Sequence, residues 1–380
     1  MDFNTTEEQT MLRETVQRYL ADTYSFDNRM KTVHGGVQNG GGWNPAVWRA
    51  FAEELGILGA PFGEAHGGLG GGPVENMIVM EEIGRALVIE PYLPTVVIAG
   101  GALKHTGGAL ADAVIPQIIA GDAVIAFAYA EPQGRYDLAD LTTTARQDGA
   151  GFLLNGHKSV VYSAPYATHL LVTVRSGGGQ RDKGGVTLLL IPSNLKGITR
   201  RDYPTVDGSA ASEVYFENVA VGAEHVVGTA GGALPLIEQV VDEATAAVCA
   251  EACGLTRVLH ATTLDYAKQR KQFGKPIGDF QVLQHRLVDM FMEVEQAVSI
   301  TLMATLKLDS AERAAAVSAA KAKVGKACKF VGQNAVQIHG GIGISNELAV
   351  GHYFKRSTMI ESQFGSVDWH LGRYERVAIG

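Results

Sequence analysis

The sequence predicts a mostly helical α+β protein in three parts: an N-terminal helical domain over residues 1–122, a central antiparallel β domain over 123–229, and a C-terminal four-helix bundle over 230–380. Three observations predict it. Apolar residues recur at helical spacing through the first third of the chain. The middle holds short apolar or alternating runs separated by Gly, Asn, Asp and Pro, as strands are. The last part consists of long runs of good helix formers, each able to cross a bundle. At 380 residues the chain also exceeds one ordinary hydrophobic core.

In order, "TTEEQTMLRETVQRYLADTY" opens with Thr5 or Thr6 as a cap and sets Met11, Leu12, Val16 and Leu20 at helical spacing. "NPAVWRAFAEELGILG" repeats the pattern, with Asn44 as N-cap and Pro45 in the first turn. Gly67 to Gly72 form a loop without the G-x-G-x-x-G spacing or a preceding strand, which argues against a dinucleotide fold there. The most apolar stretch, "LVIEPYLPTVVIAGGAL", is broken by Glu90, Pro91 and Pro94 and would not span a bilayer. The strand-like runs are "AVIAFAYAEP", "GFLLNGHKSVVYS", "HLLVTVRS", "GVTLLLIPS" and "SEVYFENVAV". No helical run separates them, which disfavours a βαβ unit. Three helical runs follow, the first almost forty residues long with Gly254 as its internal glycine.

Composition narrows the function classes. With 46% hydrophobic and 19% charged residues the chain reads as folded rather than disordered. A formal charge of −8 speaks against a nucleic-acid surface, though not against a small anionic ligand held by a local Arg or Lys cluster. Cys249 and Cys253, four apart, share one helix face and are expected to pack; with Cys328 they make neither a disulfide framework nor a metal set. The first residues, "MDFNTTEEQT", carry no basic and apolar leader, so the expected compartment is the cytoplasm, with no membrane partner.

Four separated strings add specificity: "AYAEPQGRYD", "SEVYFENVAV", "RKQFGKPIGDFQVLQH" and "VQIHGGIG". Together they resemble the acyl-CoA dehydrogenase family over essentially the whole chain. The wording of "PTVDG", "EVYFENVAVG" and "VGHYFKR" is most similar to the small subunit of pimeloyl-CoA dehydrogenases and to heteromeric sterol side-chain dehydrogenase subunits. The resemblance implies FAD as cofactor, an acyl-CoA thioester as substrate, a trans-2-enoyl product and an electron-transfer flavoprotein as electron acceptor. Such chemistry needs a base for the α-proton on one side of the acyl chain and the flavin on the other. The resemblance also implies that Arg270 meets the FAD pyrophosphate and Phe273 packs beside it. Gln284, Gln337, Gly340 and Gly341 complete a clamp on the ADP half of a flavin lodged in a neighbouring subunit. Read without the family, the same strings are a basic helix end and a glycine turn.

The pattern fails where catalysis is expected. Aligned from His339-Gly340-Gly341, the family's Tyr-Glu-Gly-Thr becomes Gln363-Phe364-Gly365-Ser366, so the glutamate base is absent and Ser366 keeps only the hydroxyl. The alternative glutamate position, on the helix before Gly254, is Ala244. Glu243 and Asp242 lie beside it, but a helix turns about 100° per residue, so Glu243 should point elsewhere. Glu361 is a further carboxylate near the turn. Where the family reads Thr-Glu-Pro-x-x-Gly-Ser-Asp, Ala130, Arg135 and Tyr136 replace hydroxyl or small residues, and Tyr162 replaces a flavin-facing threonine.

One reading covers the losses and the retained clamp: a paralogous catalytic subunit in a heterodimer or heterotetramer supplies the base. The alternatives are a self-sufficient homo-oligomer using Glu243 or Asp242, and a non-catalytic binding protein on the same scaffold. Leu87, Pro91 and Tyr92 are candidates for the acyl-pocket wall, and the acyl group itself, whether dicarboxylic, medium-chain or steroid, is not written in the sequence.

Overall fold

The structure is a computed structural model and describes residues 5–37 and 42–378. The N-terminal third carries α1 (Glu7–Thr23), α2 (Phe26–His34), α3 (Pro45–Glu53) and α4 (Pro73–Ala86). A π-helical stretch, Leu93–Gly100, then runs into α5 (Gly101–Thr106), and α6 (Gly108–Ile119) follows. The middle is all strand: β1 (Ile125–Ala128), β2 (Thr144–Asp148), β3 (Gly151–Tyr162), β4 (His169–Arg175), β5 (Val186–Pro192), β6 (Ile198–Pro204), β7 (Ala210–Val221) and β8 (Val226–Val227). The remainder is α7 (Leu234–Gln269), a small hairpin of β9 (Lys271–Gln272) and β10 (Lys275–Pro276), then α8 (Gln281–Leu306), α9 (Arg313–His339), α10 (Ala349–Ser362) and α11 (Val367–Ala378).

These elements gather into two compact units that do not follow chain order. The first contains the segment up to Arg29, Pro73–Val88 and everything from Thr245 onward. Thr6 is the residue that caps α1: its hydroxyl accepts from Gln9 N at 3.2 Å while the Gln9 side chain accepts from Thr6 N at 3.1 Å. Glu81 on α4 binds Arg13 of α1 at 2.6 Å and also pairs with Arg257 of α7, tying three helices through one buried carboxylate. Helices α4 and α7 cross at Gly84 and Gly254, where a Cβ would strike the carbonyl oxygens of Glu251 and Glu81. The bundle core is shared by Leu259 of α7, Leu287, Met290 and Val294 of α8, Val331 and Ala335 of α9 and Val350 of α10. Burial pushes the Cys249 and Cys328 thiols up to about 12, so both are packing residues.

The second unit comprises Met30–Gly72 and Ile89–Ala244. Asn44 caps α3 by accepting from Ala46 N at 3.0 Å, with Pro45 as the next residue. The sheet runs β6-β7-β3-β2-β4-β5-β8, with β1 added beside β4. Most pairings are antiparallel as the sequence implies, but β1–β4 and the short β2–β4 contact are parallel. Leu154, Val161, Leu170, Val172, Leu189, Val214 and Val219 fill the sheet core. Below β1, Thr95 in the π-helical stretch accepts from Ile125 N at 3.0 Å and donates to Ile125 O at 3.2 Å, which fixes that helix to the sheet. No helix among the described residues is long and apolar enough to cross a membrane, and no group of three or more metal-ligating side chains occurs among them.

Candidate functional site

In the first unit, α7 ends where Arg270 N donates to Tyr266 O at 2.8 Å, and Ile277 N closes the following hairpin on Arg270 O at 2.8 Å. The two residues at its tip, Phe273 and Gly274, both take left-handed φ values, +52° and +82°. A two-residue hairpin turn of this hand suits Asn or Gly, so the phenylalanine is held there against its own preference. Its ring is 94% exposed and touches Phe280 edge-on at 6.2 Å. The Arg270 guanidinium is exposed and has no ion-pair or hydrogen-bond partner among the described residues. Gln284 donates to Gly278 O at 2.9 Å, so part of its amide serves the hairpin. Gln337, Gly340 and Gly341 are exposed at the end of α9, with Gly340 at φ +67°.

The turn between α10 and α11 belongs to the same unit. Phe364 is 7% exposed and has φ +58°, again a left-handed residue with a side chain. From α9, the buried Lys321 ammonium donates to Glu361 O at 2.9 Å and to Gly365 O at 2.7 Å. His370 Nε2 donates to Phe364 O at 3.1 Å. The first turn of α11 engages two of the nearby side chains: Ser366 Oγ accepts from Trp369 N at 3.3 Å and Glu361 Oε1 of α10 accepts from Val367 N at 3.1 Å.

In the second unit, Asp242 and Ala244 are buried, whereas the Glu243 side chain is 14% exposed. Glu243 Oε1 lies 2.6 Å from His105 Nε2 on α5, with Gln239 as a further donor at 3.4 Å. Gly101 permits this approach, since a Cβ there would stand 3.0 Å from Glu243 Oε2. Glu243 thus turns away from Ala244 toward α5, as helical geometry requires. The Glu131-Pro132 string is anchored by a fully buried ion pair, Glu131 to Lys158 at 2.7 Å. Burial alone would raise the Glu131 carboxyl, but the Lys158 ammonium and hydrogen bonds from Thr142 and Gln133 hold it down at about 2. Burial also raises the Tyr129 hydroxyl, and Tyr162 and Tyr136 add to the effect, so three phenols share one field where the family's flavin-facing hydroxyls are missing.

Backbone strain marks the same strings. Seven non-glycine residues among those described have positive φ: Leu87, Arg135, Val160, Ser163, Asn218, Phe273 and Phe364. Five of the seven, Arg135, Ser163, Asn218, Phe273 and Phe364, fall within the motif strings, the distribution expected of ligand-holding segments. Sequence reasoning misses this signal, along with His105, Lys321 and the Tyr266 contact described below. Of the proposed wall residues, Leu87 lines a cavity of about 280 Å³ in the first unit with Gln17, Tyr24, Arg85 and Tyr353. Pro91 and Tyr92 are buried in the second unit.

A guanidinium exposed and without a partner among the described residues, an aromatic knob and a side-chain-free glycine pair fit the phosphate-bearing half of FAD: charge for the pyrophosphate and bare backbone for close approach. Models of the acyl-CoA dehydrogenase N-terminal, middle and C-terminal domains match residues 6–122, 126–219 and 234–378. The probable acyl-CoA dehydrogenase YngJ of Bacillus subtilis is 29% identical over 372 residues, covering 95% of each chain. A solved variant of the Tcur3481–Tcur3483 steroid ACAD is 26% identical, with a TM-score of 0.88 over 98% of both chains. The ChsE4–ChsE5 complex from Mycobacterium tuberculosis has the same fold at 24% identity, with a TM-score of 0.89 over 100% of this chain and 99% of that one. Since all three domain models match in order, across the arginine hairpin, the glycine pair and the Phe364 turn, the chain belongs to the acyl-CoA dehydrogenase family of FAD-dependent oxidoreductases.

Proposed function

We propose that this chain is one subunit of a heteromeric acyl-CoA dehydrogenase that converts an acyl-CoA thioester to the trans-2-enoyl-CoA and passes electrons to an electron-transfer flavoprotein. The observation that carries the reading is Phe364: at the family's base position the chain has a left-handed residue whose side chain cannot take a proton. The base therefore comes from a paralogous partner. Bound FAD supplies the acceptor for the hydride equivalent that leaves the β-carbon. This chain's part is to bind and orient: Arg270 offers charge to the pyrophosphate, Phe273 packs beside it, and Gly340 and Gly341 admit it closely. The steroid relative, whose name joins two chains, supports a two-chain enzyme and makes steroid acyl groups substrates worth trying.

The second reading rests on Glu243. Its carboxylate is oriented by His105 at 2.6 Å, an arrangement that suits a base in a self-sufficient homo-oligomer. Anaerobic mixing of the purified chain with FAD and butyryl-, octanoyl-, pimeloyl- and sterol side-chain CoA esters separates the two. The heteromer reading expects no flavin bleaching until a paralogue with an intact glutamate is added, and no change in the reconstituted rate with Glu243→Gln. Bleaching by the chain alone, abolished in Glu243→Gln, would establish the homo-oligomer instead.

A further inference from the structure

We propose that Tyr266 and His339 are positioning residues that lock the arginine hairpin and the glycine pair into a single clamp for the ADP half of FAD, an inference that rests on the cofactor role proposed above. The two segments lie 73 residues apart in sequence, at the ends of different helices. Tyr266 is in the last turn of α7, and its carbonyl accepts from Arg270 N. His339 is the final residue of α9, directly before Gly340, whose φ of +67° turns the chain toward Gly341. The two rings stack with centroids 4.3 Å apart and planes 26° from parallel.

Neither ring is free to drift. His339 is buried and its Nδ1 donates to Ala335 O at 2.8 Å, so the imidazole is fixed to the helix it ends. Burial lowers its pKa below the ordinary histidine value, which keeps the stacked ring neutral. Beneath the pair, Ala267 and Ile338 sit in the same core cluster, so the stack continues the bundle packing to the surface. Past Tyr266 the hairpin is held from the other side: Gln284 of α8 bonds Gly278 O, and Phe280 contacts Phe273. The stack is consequently the side-chain contact that ties the hairpin's entry to the end of α9, where Gln337 and the glycines stand. Arg270 and Gly340 each follow a stacked residue within four positions, so a shift of either ring moves a phosphate-facing group.

The test is FAD affinity in the assembled, full-length protein. Tyr266→Leu keeps an apolar side chain and removes the ring, and is expected to raise the FAD Kd about three- to tenfold, the range that an aromatic pair supports. Tyr266→Phe should match wild type, since the hydroxyl is 3.5 Å from His339 O, at the outer limit of a hydrogen bond. His339→Leu should cost a similar factor, and Tyr266→Leu with His339→Leu should cost no more than either alone. His339→Phe restores an aromatic face and should hold the Kd within about twofold of wild type. An unchanged Kd in Tyr266→Leu, multiplied losses in the double variant, or failure of both aromatic replacements would overturn the proposal. Wild-type protein that takes up no FAD, alone or with a glutamate-bearing paralogue, would instead remove the cofactor role on which it stands.

Discussion

A phenylalanine at φ +58° is costly, roughly 1–2 kcal/mol above a right-handed residue, and position 364 keeps it because the surrounding turn is over-determined. Lys321 and His370 grip the carbonyls of residues 361, 364 and 365. His370 is 1% exposed, and burial followed by the nearby Lys321 and Arg373 charges depresses its pKa from 6.5 to about 3. Its fold therefore requires the neutral ring. Above pH 6.5 neither state binds the proton and the full contribution is present. As pH falls from 6.5 toward 3 the unfolded chain protonates first, and stability drains away at up to about 1.4 kcal/mol per pH unit. Urea unfolding at pH 7 and at pH 4 should show wild type losing about 3 kcal/mol more than His370→Gln between the two; equal losses would refute a buried neutral imidazole. Arg270 is the opposite kind of residue, exposed and with no hydrogen-bond or ion-pair partner for its guanidinium among the described residues. Arg270→Ala should leave the thermal transition of the flavin-free protein unmoved while weakening FAD binding about ten- to a hundredfold, as loss of a charge-assisted contact does. Arg270→Lys should recover only part, because an ammonium cannot fork two oxygens.

Helix packing here turns on two glycines. A methyl group at Gly254 would collide with the Glu81 carbonyl, backbone rather than a flexible side chain, so α4 and α7 would have to separate. Gly254→Ala should cost about 3 kcal/mol or more by overpacking. Gly63→Ala, with φ −70° and open space around the new methyl, should change stability by no more than about 0.5–1 kcal/mol and in the favourable direction. Chemical denaturation of the two variants side by side checks both. The long helices were legible because apolar spacing and caps agree locally, Thr6 and Asn44 included. Strands β2 and β6 were not. "TARQD" and "ITRRDYP" are largely exposed and owe their conformation to the neighbours they pair with, β3 and β7. The parallel β1–β4 pair was hidden for a related reason: direction is a long-range choice with no local sequence signature. At the site, the family resemblance marked Arg270, Phe273 and the glycines as candidates, whereas His105 facing Glu243 across 138 residues left no trace in the string.

Taken as a whole, and on the proposed cofactor role, the chain retains one half of the flavin-binding strings and alters the other half. The hairpin and glycine pair of the first unit present charge and bare backbone, while the second unit's strings carry Arg135, Tyr136 and Tyr162 in place of small or hydroxyl residues. An assembly built only from this chain and holding flavin in every copy would contain as many FAD molecules as chains. A heteromer in which this chain lends its clamp to an intact paralogue leaves its own altered half empty. The expected content is therefore one FAD for every two chains. Absorbance of the denatured cofactor against protein concentration, with native mass spectrometry to count subunits, measures the ratio directly. On the proposed heteromer, Arg270→Ala in this chain alone should lower the flavin content of the whole complex. A ratio of one FAD per chain, or flavin content insensitive to Arg270 in this chain, would mean that each polypeptide holds its own cofactor and would return the base to Glu243.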